Sequence, residues 1–145
     1  MKTVHRSALV MHSAEQMYRL VNDVEAYPQF LPWCHGSHLK SATETEIVAS
    51  LDVGKAGLIK TFTTRNQLVE NQSVKVELVD GPFQHLTGSW IFTPLSEEAC
   101  RVELDLEFEF SSNLVAMMLG PIFNEAANTM VAAFCHRADD IYDAG

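Results

Sequence analysis

Three groups of residues in this chain have the chemical types that catalysis or metal binding draws on. Cys34, His35 and His38 place a thiol and two imidazoles close together. Their spacing matches no standard zinc site, and in an extended strand His35 and His38 point to opposite faces. Cys135-His136 sets a nucleophile type beside a base type, but no acid is in evidence to orient the imidazole. Glu103, Asp105, Glu107 and Glu109 alternate with apolar residues, which is the pattern of a solvated face on an edge or outer strand. The chain carries no nucleophile elbow, no paired carboxylates on a helix face and no phosphate-binding glycine loop. The expectation is a protein without catalytic residues or a metal, and therefore not an enzyme.

What the chain offers instead is apolar surface of adaptable shape. Phe30, Trp33, Phe62, Phe83, Trp90, Phe108, Phe123 and Phe134 are joined by Met117, Met118 and Met130. A small-molecule pocket is mostly apolar with a few placed polar groups, and methionine fills irregular gaps. Two outcomes are open for this set: complete close packing, or a cavity. If there is a cavity, Tyr27, Trp90 or Thr64 could donate to a polar head group.

The element that must position these residues runs from Leu114 to Tyr142. Val115, Leu119, Ile122, Ala126, Met130, Ala133, Arg137 and Ile141 fall on steps of three and four, the period of a helix. Ser111, Ser112 and Asn113 supply N-cap types before it. Gly120-Pro121 interrupts the run, and a proline inside a helix removes a donor at a cost of ~3 kcal/mol. The helix is expected to be kinked or made of a short and a long piece, with the pair as a hinge. Its mixture of methionine and phenylalanine with Gly120, Ala126, Ala127, Ala132 and Ala133 suits either a core or the lid of a cavity.

Upstream, Val4 to Val10 reads as a strand. Ser13-Ala14-Glu15-Gln16 is a capping box that opens a first helix, ending near Asp23 to Ala26. Tyr27-Pro28-Gln29-Phe30-Leu31-Pro32-Trp33-Cys34 holds two prolines that bar a regular helix. It is expected as a tight buried turn, either plugging one end of the sheet or walling a pocket. From Trp33 onward apolar and polar residues alternate, through Ile47–Val53, Leu58–Leu68, Val74–Leu78, Leu86–Phe92 and Cys100–Phe110. Gly54–Gly57, Glu70–Gln72 and Asp80–Phe83 punctuate them as turns, and Pro94 to Ala99 connects the last two. Gly88, inside an apolar row, marks a bend or leaves room for a ligand. A meander with one apolar face needs a cover, and only the C-terminal helix is long enough.

A chain of 145 residues is bounded at one domain, residues 1–145, with enough length for a real core. No apolar run reaches the ~18 residues of a membrane span, and no signal peptide is evident. Three scattered cysteines point to reduced thiols and a cytoplasmic location. The net charge of −9 opposes DNA and anionic lipid surfaces, since phosphate repels it.

The order of elements resembles the START-like helix-grip fold. Tyr27-Pro28, Phe30, Pro32-Trp33-Cys34, Gly81-Pro82-Phe83, Leu86, Gly88-Ser89-Trp90, Phe92 and Pro94 are similar to the pattern of the polyketide cyclase/coenzyme Q-binding family. Val21-Asn22-Asp23-Val24, Lys55-Ala56-Gly57, Lys60 to Leu68 and Asn71-Gln72-Ser73 resemble its branch of bacterial ribosome association toxins. The resemblance covers essentially the whole chain. It implies an α+β fold, with a curved six- to seven-stranded antiparallel sheet wrapped around a long C-terminal helix. It implies a non-enzymatic carrier or chaperone for a hydrophobic ligand, ubiquinone or another isoprenoid lipid, in support of respiration. No cofactor is required, although ubiquinone could be bound. The ligand-binding set is Tyr27, Phe30, Trp33, Phe62, Phe83, Trp90, Phe108, Met117, Met118, Phe123, Met130 and Phe134. The alternative it implies is binding to the large ribosomal subunit, blocking subunit joining, with Lys55, Lys60 and Arg65 as candidate contacts.

Overall fold

The computed structural model describes residues 1–143. Strand β1 (Lys2–Val10) is followed by helix α1 (Ala14–Asn22) and a 3₁₀ helix (Val24–Gln29). Then come β2 (Cys34–Ala42), β3 (Glu46–Lys55), β4 (Leu58–Val69), β5 (Ser73–Asp80), β6 (Phe83–Ser96), β7 (Ala99–Phe110) and helix α2 (Asn113–Tyr142). All seven strands form one antiparallel sheet in the order β1-β7-β6-β5-β4-β3-β2. Six consecutive strands form the meander, and β1 closes onto its far side by pairing with β7.

Local chemistry accounts for the joints. Ser13 Oγ accepts from the Gln16 backbone N–H while Gln16 Oε1 accepts from the Ser13 N–H, completing the capping box of α1. The prolyl stretch begins as the 3₁₀ helix, which accommodates Pro28 where a regular helix would not continue. Ala56 and Gly57, both at positive φ, make the two-residue turn between β3 and β4. Gly81 (φ 151°) lets β5 turn into β6 close against Phe62, whose Cβ stands 2.5 Å from where a side chain would begin.

Several expectations are corrected. Pro94 does not lie in a connection; it sits inside β6 opposite Cys100. There it is tolerated because β5 pairs with β6 only as far as Ile91, so the missing N–H interrupts no ladder. Strand β7 is not an edge, since β1 and β6 flank it, and its acidic row lies on the outer face of the sheet. Helix α2 runs unbroken through Gly120-Pro121, so the division into two pieces is not seen. The carbonyl that Pro121 leaves without a donor belongs to Met117, which is 77% exposed and open to water. The buried stripe of α2 is also rotated from the expected face. It runs Leu119, Phe123, Ala126, Ala127, Val131, Phe134 and Ala138, whereas Ile141 is exposed.

The core lies between the inner face of the sheet and the two helices. Val102, Leu104 and Phe108 of β7 pack there with Phe134 of α2 and Met17 of α1, all with no exposed surface. From its middle onward, α2 is tied down by polar contacts. Arg6 donates to Asn128, Arg137 to Gln29 Oε1 at 3.0 Å, and Tyr142 to the Gln16 carbonyl at 3.2 Å.

Candidate functional site

Helix α2 carries two aromatic wedges separated by small residues. At one end Phe123 meets Phe83 and Phe108, with ring centroids at 4.9 and 4.7 Å. Three turns on, Phe134 meets Tyr27, Phe30 and Trp90 at 5.3, 5.1 and 5.2 Å. Between the wedges the helix offers Ala126, Ala127 and Met130. The sheet opposite is held off by the bulky rings at either end, so an internal slot remains. Its volume is about 80 Å³. Val21, Val24, Tyr27 and Trp33 wall one side, β3 and β4 contribute Ala49, Leu51 and Phe62, and Val74, Val76, Leu86, Trp90, Leu104 and Leu106 form the floor.

Among the described residues its polar side chains beyond Tyr27, Trp33 and Trp90 are Thr64 and Asn66, with Thr64 Oγ1 donating to Asn66 Oδ1 at 3.0 Å. Among the described residues no carboxylate, imidazole, thiol or amine lines the slot. Of the groups that acid–base or nucleophilic chemistry draws on, the slot lining presents the hydroxyls of Tyr27 and Thr64. The Tyr27 hydroxyl is already committed. It donates to the Val21 carbonyl at 2.5 Å, and burial raises its pKa well above the usual phenol range. Tyr27 therefore serves as wall, not as the head-group donor expected of it.

Of the twelve residues assigned to a ligand from sequence, Tyr27, Trp33, Phe62, Trp90, Phe123 and Met130 line the slot. Phe83, Phe108 and Phe134 are buried but pack outside it as the wedges, and Phe30 is half-buried beneath the Arg137 guanidinium. Met117 and Met118 are corrected: they are 77% and 46% exposed on the outer side of the first turns of α2, far from the slot lining. A helix with Leu119 and Gly120 inward must turn its neighbours at 117 and 118 outward. Gly88 opens no room in the slot, because a Cβ there would lie 2.5 Å from Leu106 Cδ2 and 2.8 Å from the Asp105 carbonyl. Sequence reasoning passed over Thr64's partner Asn66 and the β-branched floor residues as site members. Their inward parity on β4 and β5 was the available signal.

A second recess, of about 150 Å³, lies outside the slot, between Pro32, Trp33, Gly54, Lys55, Ile122, Glu125 and Thr129. Trp33 borders both spaces and separates them. The three cations assigned to a ribosome contact do not share one patch. Lys55 and Lys60 flank the β3–β4 turn and stand exposed, whereas Arg65 lies on the outer face and pairs with Glu46 at 3.1 Å. Lys60 and Arg65 differ by five positions, and odd separations on a strand put side chains on opposite faces.

The sequence's metal and thiol types are likewise dispersed. Cys34 Sγ donates to the Gly36 carbonyl, His35 bonds the Gly54 carbonyl at 2.9 Å, and His38 bonds Asp52 at 3.1 Å. Burial pushes the Cys34 and Cys100 thiols up to about 11.

A curved antiparallel sheet gripping a long C-terminal helix over an apolar slot defines a START-like helix-grip protein. Residues 10–135 match the family described as polyketide cyclase / dehydrase and lipid transport, and the chain belongs to it. It is 56% identical over 144 residues to a protein named ribosome association toxin RatA from Escherichia coli, covering 99% of this chain and 91% of that one. It is 33% identical over 140 residues to the mitochondrial coenzyme Q-binding protein COQ10 homolog B of Xenopus laevis, covering 94% of this chain and 57% of that one. Among solved structures, the Zhui aromatase/cyclase superposes with a TM-score of 0.83 at 19% identity, over 95% of this chain and 93% of its own. At that identity the likeness is one of fold. No helix among the described residues is long and apolar enough to cross a membrane.

Proposed function

We propose that this chain binds the large ribosomal subunit and opposes its joining with the small one, acting in the cytoplasm without catalysis. The observation that carries the proposal is the 56% identity to the E. coli ribosome association toxin, over 99% of this chain and 91% of that one. The net charge of −9 argues against a broad contact with ribosomal RNA. Exposed Lys55 and Lys60 at the β3–β4 turn are cations placed together for a small one, and Arg65 is held by Glu46. The test is sedimentation of ribosomes with the purified chain through a sucrose gradient at physiological magnesium. Co-migration with the large subunit and growth of the free-subunit peaks are expected; a protein that stays at the top of the gradient while joined ribosomes persist defeats the proposal.

The slot favours a second role that is compatible with the first, the binding of a hydrophobic ligand of the isoprenoid quinone class. Its apolar walls with one Thr64–Asn66 polar pair suit a ligand that needs area and few hydrogen bonds. Its volume sets a condition. Drug-sized ligands occupy ~300–1,000 Å³, so about 80 Å³ admits a segment of an isoprenoid tail and no more unless α2 moves outward. Organic extraction of protein purified from its own host tests this role, and the absence of any near-stoichiometric quinone or lipid removes it.

A further inference from the structure

The C-terminal end of α2 holds an electrostatic arrangement that neither proposed role uses. A helix C-terminus carries partial negative charge and is stabilised by cations. Here the final turns carry Asp139, Asp140 and Asp143, and no basic residue lies in the last turn. Facing them is His12, in the turn between β1 and α1, only 4% exposed. His12 Nε2 lies 2.8 Å from Asp139 Oδ1 and 3.9 Å from Asp143 Oδ2, and the three ligating atoms all fall within 4.8 Å of one another. Glu97 and Glu98 of the β6–β7 turn border the same depression, adding negative charge. The nearby Arg19 is engaged with Glu15. Among the described residues no lysine or arginine lines this depression.

We propose that His12, Asp139 and Asp143 form a site for a first-row divalent cation of the zinc type. The donor set is suitable: one imidazole nitrogen and two carboxylate oxygens, the mixed N/O set that zinc accepts and that magnesium and calcium, which prefer oxygen alone, do not select. The geometry is near. With ligand bonds of ~2.1 Å, a tetrahedral ion sets its ligand atoms ~3.4 Å apart. The His12–Asp139 separation must open slightly and the His12–Asp143 separation close slightly, which side-chain rotation of the two exposed aspartates permits. Asp139 and Asp143 are one helical turn apart, the spacing that puts two ligands on one face. His12 is held in place by burial and by the Tyr142 ring, whose centroid lies 5.7 Å away. Three protein ligands leave the fourth position to water. The bound ion clamps the end of α2 to the β1–α1 turn and so fixes the helix that closes the slot.

The experiment is titration of chelator-stripped, full-length protein with zinc chloride by calorimetry, with cobalt(II) absorption reporting ligand geometry. The competing explanations are a plain His12–Asp139 hydrogen bond and adventitious binding at the exposed His136–Asp140 pair, whose atoms lie 4.0 Å apart. One zinc per chain is expected, weakened at least ~10-fold by Asp143→Asn or His12→Gln and unchanged by His136→Ala. Asp143 is exposed, so its asparagine variant tests the ligand without burdening the fold. Failure to bind zinc, binding that survives Asp143→Asn, or binding that His136→Ala abolishes overturns the site.

Discussion

Enlarging Ala127 to leucine asks directly whether the slot under α2 is empty and whether it is the ligand site. Ala127 is 1% exposed and lines the slot between the two aromatic wedges. The substitution adds three carbon atoms. In a close-packed interior that change forces off-rotamer side chains and costs ~1–3 kcal/mol. In a real void of about 80 Å³ the same atoms find room. Each buried CH₂ then contributes ~0.8 kcal/mol, so the gain is at most ~2 kcal/mol before the lost side-chain entropy is counted. For a chain of this size 1 kcal/mol moves Tm by ~2–4 °C. The expected result is a Tm unchanged or raised by a few degrees, with an unaltered urea m-value. The second readout is the lipid extract, which should lose any quinone present in the parent. A Tm lowered by several degrees refutes the void. A Tm held or raised with the ligand fully retained refutes the slot as its site. A matched Ala132→Leu change on the exposed side of α2 should leave the extract unchanged.

Reversing both Lys55 and Lys60 to glutamate should weaken co-sedimentation with the large subunit and flatten its salt dependence, while Arg65→Ala should leave binding within about twofold. Equal effects from all three changes would show that the β3–β4 turn is not the contact. Placing a side chain at Gly88 should be costly, because its Cβ would sit 2.5 Å from Leu106 Cδ2 and 2.8 Å from the Asp105 carbonyl. Urea denaturation of Gly88→Ala should show a loss of ~1–3 kcal/mol, and a neutral substitution would contradict the close approach. The buried thiols give a pH signature. Cys34 and Cys100 titrate near 11 in the folded chain, above their ordinary 9.0. The unfolded chain loses those protons first, so stability is flat below about pH 9 and falls between 9 and 11, by up to ~1.4 kcal/mol per pH unit for each thiol. The double Cys34→Ser, Cys100→Ser variant should lose most of the slope between pH 9 and 10, above which the raised Tyr27 phenol adds its own, as measured by urea midpoints across the range. The same slope in the variant would assign it elsewhere.

Alternation and capping chemistry were enough to specify the architecture. The Ser13–Gln16 capping box, the β7 alternation from Cys100 to Phe110 and the long charge-poor helix each have one physical solution, because a wrong period would bury charge or expose core. The acidic row on β7 was legible for the same reason. Strand parity alone sends Phe62 of β4 and Trp90 of β6 inward, where both line the slot.

Rotation of α2 was not legible. Its sequence is apolar nearly all round, so the period fits several faces, and only packing against the sheet chose Phe123, Ala127 and Phe134 over Met117 and Met118. The slot itself is a difference between volumes, decided by how far two aromatic wedges hold a helix off a curved floor. No single residue encodes it. Charge partners are equally tertiary: Arg65 was a free cation in sequence until β3 brought Glu46 beside it, and His12 lies 127 residues from Asp139 along the chain yet 2.8 Å away in the fold. The sequence determined what each strand and helix must bury. Only the folded structure decided where the burial stops short, and which charges meet.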